Sequence, residues 1–82
     1  MHKVILVVSN GCPYCPKAKI IWEKLKEKYD NMDLEVVDVV SEKGREIVLK
    51  YNIMAVPTTL IDDKIVFIGI PDANKAIEFI SK

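Results

Sequence analysis

The sequence predicts an α/β fold in the order βαβαββα, one four-stranded mixed sheet flanked by three helices. Three observations carry this. Two apolar runs, Lys3–Val8 and Leu34–Val40, each lead into a segment of helical period. Two shorter apolar runs, Thr58–Ile61 and Lys64–Ile68, meet across Asp62-Asp63 as a hairpin. A last amphipathic stretch opens at Asp72, a residue suited to capping a helix.

Each element has its own signal. Lys3–Val8 is apolar almost throughout, so it reads as a strand buried on both faces. Ser9-Asn10-Gly11 is a turn. The helical pattern that follows runs to about Tyr29, with Ala18, Ile21, Trp22, Leu25 and Tyr29 on one stripe. Pro13 and Pro16 fit it if both lie in the first turn, where a missing N–H costs nothing. Asp30–Asp33 breaks the helix, and Leu34–Val40 reads as a second buried strand. Ser41 caps a second helix reaching Tyr51, although Gly44 weakens its first turn and removes a capping box. Asn52 suits a left-handed C-cap. In the last helix Ala73, Ala76, Ile77 and Ile80 face inward. The first crossover makes strands one and two parallel, and helices cover both faces of the sheet.

Bulk properties narrow the function. Residues 1–82 make one domain, with a modest core burying somewhat over ~60% of the unfolded chain's surface. Twelve basic and twelve acidic side chains cancel, which argues against a nucleic-acid or membrane-surface partner. Arg45 is the sole arginine, so bidentate recognition of an anion is available at one position at most. The opening apolar run is too short for a signal core or a membrane span, so a cytoplasmic location is expected.

Cys12-Pro13-Tyr14-Cys15 holds both cysteines of the chain. Disulfides need Cα atoms about 4.4–6.8 Å apart, and residues i and i+3 of a helical turn satisfy that. The pair can open and close with little backbone movement. Structural disulfides are rare in the cytoplasm, and a loop this short removes little chain entropy. A redox pair fits better than a staple. Pro57 also falls near it. If strand three lies antiparallel beside strand one, its start adjoins the end of strand one, where Cys12 sits.

The element order, the C-x-x-C after the first strand and the Val56-Pro57 before the third together resemble the thioredoxin fold, over nearly the whole chain. Cys12-Pro13-Tyr14-Cys15 is similar to the dithiol glutaredoxin motif, and the length is similar to glutaredoxins and to small archaeal-type thioredoxin-like proteins. Met54-Ala55-Val56-Pro57-Thr58 resembles the family's cis-proline segment. The resemblance implies a cis Val56–Pro57 bond, which turns the Val56 N–H and C=O toward an extended substrate segment. Ile68-Gly69-Ile70-Pro71-Asp72 departs from the glutathione-holding signature of glutaredoxins at Ile70 and Pro71, and no basic residue stands just before Cys12. Fold and dithiol chemistry therefore carry over; glutathione carries over poorly.

The expected site is catalytic Cys12 and Cys15, with Pro13, Tyr14, Val56 and Pro57 binding substrate. Cys12 precedes the helix and meets its unsatisfied N–H groups, which favour the attacking thiolate. Cys15, deeper, resolves the mixed disulfide. Lys17 is a candidate extra charge or a plain solvated lysine, and Asp38 a proton relay or a solvated strand end. Trp22 and Tyr51 read as core, and His2 as surface. The expected activity is a monomeric thiol–disulfide oxidoreductase without cofactor or resident metal, drawing on a flavin-dependent dithiol reductase. Alternatives are a glutaredoxin and a dimeric zinc or iron–sulfur carrier. One chain lacks the four ligands zinc requires, and haem attachment would need a histidine where Pro16 stands.

Overall fold

Val4–Val7 are buried without a break, because the strand that carries them lies inside the sheet with helices on both sides. The computed structural model describes residues 1–81. Its elements are β1 (His2–Val8), α1 (Cys15–Lys28), β2 (Met32–Asp38), α2 (Glu42–Tyr51), β3 (Thr58–Ile61), β4 (Lys64–Ile68) and α3 (Ala73–Ile80). The sheet order is β2-β1-β3-β4. β1 runs parallel to β2 and antiparallel to β3, which pairs antiparallel with β4.

Side chains alternate across a strand, and the core divides accordingly. Val4 and Leu6 pack with Ala18, Trp22 and Leu25 of α1 and with Ala76 and Ile80 of α3. Ile5 and Val7 point the other way, toward Val37, Leu60 and Ile47 of α2. Burying each large aliphatic side chain contributes about 1.5–3 kcal/mol relative to exposure.

Four expectations need correction. α1 begins at Cys15, so Pro13 lies outside its first turn and only Pro16 occupies it. Tyr14 supplies the N-cap backbone, and the chain bends through Pro13 before the helix starts. β2 starts at Met32, not Leu34, and ends at Asp38. Ladder pairing of His2 with Met32 and Lys3 with Asp33 overrides the local turn chemistry of those residues. β2 is also an edge strand and only partly covered: Val36 is 37% exposed, and Val40, in the turn beyond, is 67% exposed. In α3, Ala73 is exposed; Ala76 and Ile80 form the buried stripe with half-buried Ile77.

The capping residues act as their chemistry suggests. Ser41 Oγ accepts the Gly44 N–H at 3.0 Å, and Asp72 accepts the N–H groups of Asn74 and Lys75. Asn52 ends α2 at φ 53°, ψ 47°. Gly44 has a reason that propensity hides. A methyl there would lie 2.7 Å from the Asp38 carbonyl carbon and closer still to its oxygen. Only glycine lets α2 start against the end of β2.

Asp62 and Asp63 turn the β3–β4 hairpin at φ 50° and 68°, the left-handed pair of a two-residue loop. The Asp62 carboxylate also ties this turn to β1. It pairs with His2 Nδ1 at 2.5 Å and accepts the Lys3 N–H at 3.0 Å. The His2 hydrogen bond first, and then the Lys3 N–H, hold its carboxyl below the ordinary carboxylate range. Because the folded carboxyl is the stronger acid, this contribution is present above the unfolded value, about pH 4, and is lost as pH falls through the folded one. The urea-midpoint difference between wild type and Asp62→Asn is therefore expected to shrink as pH falls from about 5 to 3, where the carboxylate takes up its proton. A difference that grew over that range would contradict it.

Candidate active site

Gly11 takes φ 83° to close the turn after β1, and the Cys12 N–H donates back to the Ser9 carbonyl at 3.3 Å. This delivers Cys12 to the head of α1. Cys12 and Cys15 are joined as a disulfide, with Cα atoms 5.4 Å apart. Cys12 is half-buried, while Cys15, the first residue of α1 instead of one turn in, is only 5% exposed.

The Cys15 N–H points at Cys12 Sγ from 3.2 Å. It is one of the amide groups that a helix start leaves without an internal acceptor. The first turn of α1 carries no acidic side chain to oppose that field. Pro16 sits where its missing N–H removes nothing. All of these favour negative charge on the Cys12 sulfur.

The Val56–Pro57 peptide is cis. Pro57 is itself buried. Its carbonyl accepts the Gly69 N–H at 2.7 Å, and the Thr58 hydroxyl donates to the Ala55 carbonyl at 2.7 Å. These bonds fix the loop so that the Val56 carbonyl oxygen lies 3.8 Å from Cys12 Sγ. Among the described residues nothing accepts the Val56 N–H. The antiparallel pairing of Val7 with Thr58 is what brings the loop to Cys12. Pro13 and Tyr14 stand out beside the pair, Tyr14 being 59% exposed.

A recess of about 350 Å³ reaches Cys12 and Cys15, lined also by Val8, Lys19, Val36 and Asp38. Lys19 is four residues after Cys15 and shares its helix face, whereas Lys17 does not line the recess. The sequence carries no signal that separates Lys19 from the other solvated lysines of α1. Asp38 does sit at this recess, with Oδ1 accepting the Val40 N–H. Trp22 and Tyr51 stand apart from the recess, Trp22 in the core and half-buried Tyr51 hydrogen-bonded to Asp63. Among the described residues no three His, Cys, Asp or Glu gather to hold a metal, and no helix is long and apolar enough to cross a membrane.

This geometry matches known proteins. Residues 3–81 match the thioredoxin-domain family model. The chain belongs to the thioredoxin family. A thioredoxin of Methanocaldococcus jannaschii is 36% identical over 81 residues, covering 98% of this chain and 93% of that one. A protein described as a probable thioredoxin, from Methanothermobacter marburgensis, is 36% identical over 80 residues, covering 96% and 92%. The X-ray structure of Fasciola hepatica thioredoxin superposes with a TM-score of 0.77 at 26% identity, over 98% of this chain and 78% of the other. A thioredoxin-family chain with a closable cysteine pair at a helix head is a thiol–disulfide oxidoreductase. Its partners are, in general terms, disulfide-bearing proteins and a reductase that returns electrons.

Proposed function

We propose that Cys12 attacks a protein disulfide and Cys15 resolves the intermediate, with Pro13, Tyr14, Val56 and Pro57 seating the substrate. One observation carries this reading: the Cys15 N–H is aimed at Cys12 Sγ beside the open backbone of Val56. The Cys12 thiolate attacks one substrate sulfur. The substrate S–S bond breaks, and the departing thiolate takes a proton from solvent. Cys15, deprotonated in turn, attacks Cys12 Sγ and releases the second substrate thiol. The substrate has gained two electrons, and Cys12–Cys15 is left as the disulfide.

During the mixed disulfide the substrate chain lies across Val56, whose N–H and carbonyl can pair with it as an added strand would. Pro57 acts by orientation, since its ring is buried and it is Val56 that faces the sulfur. The protein works in this reading as a cytoplasmic monomer of a single domain.

The electron donor in this reading is a flavin-dependent dithiol reductase. Glutathione brings two carboxylates that need cations or N–H groups. The Asn74 and Lys75 N–H groups, which head α3, are already taken by Asp72, and Pro71 has no N–H to donate. The test measures turnover of the oxidised protein with glutathione plus glutathione reductase, and separately with a thioredoxin reductase from the same cell. Turnover with the dithiol reductase is expected to exceed that with glutathione at least tenfold. Fast, saturable turnover with glutathione alone would instead make the Cys-Pro-Tyr-Cys pair a glutaredoxin site.

A further inference from the structure

Beside Val56, and meeting the α1 recess at Ser9, a largely apolar groove of about 470 Å³ runs along α2. Val48, Leu49, Ile53, Met54 and Val56 line it, and Arg45 stands in its wall. Leu49 is 82% exposed and Met54 88%. Two large apolar side chains held open to water in a groove that reaches Val56 mark a contact surface. Methionine suits one that must fit varied partners. Arg45 precedes Val48 and Leu49 by three and four residues, so all share one helix face. Among the described residues no carboxylate pairs with its guanidinium, although Glu42 and Glu46 lie on the same helix.

We propose that Arg45, in the wall of this groove, selects substrates that carry a carboxylate close to the target cysteine. The inference rests on the dithiol reading and deepens it by naming a substrate class. Continuity argues for the occupant. Val56 belongs both to the groove and to the loop facing Cys12, so a chain laid across Val56 passes directly into it. Charge argues for the selectivity. The chain's sole arginine lies in the wall of an otherwise apolar channel, and a guanidinium binds a carboxylate through two parallel hydrogen bonds. A lysine in the same place on the substrate meets like charge instead.

The test uses disulfide-linked peptides that carry Glu or Lys at each of the three positions on either side of the cysteine, beside a constant leucine. For wild type, kcat/KM at low salt is expected to favour Glu about fivefold over Lys on one flank only. The preference should fade in 0.5 M salt, when the screening length falls to a few ångströms (about 3 Å at 1 M). Arg45→Glu should reverse it, and Arg45→Lys should keep part of it. Reduction of the protein's own disulfide by dithiothreitol should be the same in all three, because Arg45 does not touch Cys12. A Glu-to-Lys ratio unchanged by Arg45→Glu would overturn the proposal, as would competition by glutathione that Arg45→Glu abolishes, or a concentration-dependent dimer that closes the groove. If no peptide were reduced by any of the proteins while dithiothreitol still reduced them, the dithiol reading itself would fall.

Discussion

Trp22→Ala is expected to cost a large share of the stability of this protein. The Trp22 side chain is fully buried between β3 and β4 residues and the helices of one sheet face. Its ring lies 6.3 Å from that of Phe67, and its Nε1–H donates to the Thr59 hydroxyl at 3.0 Å inside the core. Truncating a buried tryptophan to alanine costs about 3–5 kcal/mol through lost contacts and the cavity left behind. The stranded Thr59 hydroxyl adds about 1–3 kcal/mol, because it is fully buried and loses its donor. Native domains hold only about 5–15 kcal/mol in total, and short chains sit toward the low end. Circular dichroism through a urea titration should therefore show Trp22→Ala largely unfolded before denaturant is added, or with its midpoint at a small fraction of the wild-type value. Trp22→Phe keeps most of the apolar contact and loses the hydrogen bond, so it should fall between the two. An alanine variant within about 1 kcal/mol of wild type would contradict this placement of the core.

Much of this arrangement is legible in the sequence because its causes are local. The C-x-x-C spacing, the caps at Ser41 and Asp72, the left-handed Asn52 and the Asp62-Asp63 turn each depend on a few neighbouring residues. Val56–Pro57 could be brought to Cys12 on paper because antiparallel pairing of β1 and β3 leaves nowhere else for it. What stayed hidden depends on distant contacts. Either proline could have opened α1, and only the path of the chain through Pro13 excludes it from the helix. Lys19, four residues after Cys15, lies on the face of α1 that the recess reaches, and only the folded chain shows which face that is. Gly44 reads as a weak helix residue until the Asp38 carbonyl appears against it. Leu34–Val40 looks like an inner strand because nothing in its own residues reveals that β2 has one neighbour. The Arg45–Met54 groove has no linear signature, since it joins α2 to a loop that reaches it only in the folded chain.

The proposed reaction is an order of events at two sulfurs. Cys12 is the more accessible and receives the helix amide; Cys15 is buried. Cys12→Ser removes the nucleophile, so turnover should fall to the background rate. Cys15→Ser leaves attack intact and removes resolution, so one substrate sulfur should remain bound per protein. Both variants replace sulfur by oxygen at positions outside the two core clusters, and both should fold. The decisive measurement is intact-mass and peptide-mass analysis of each variant after incubation with a disulfide-bearing protein substrate. A one-to-one adduct through Cys12, released by dithiothreitol, is expected in Cys15→Ser, and none in Cys12→Ser. An adduct through Cys15 in Cys12→Ser, with none through Cys12, would contradict it.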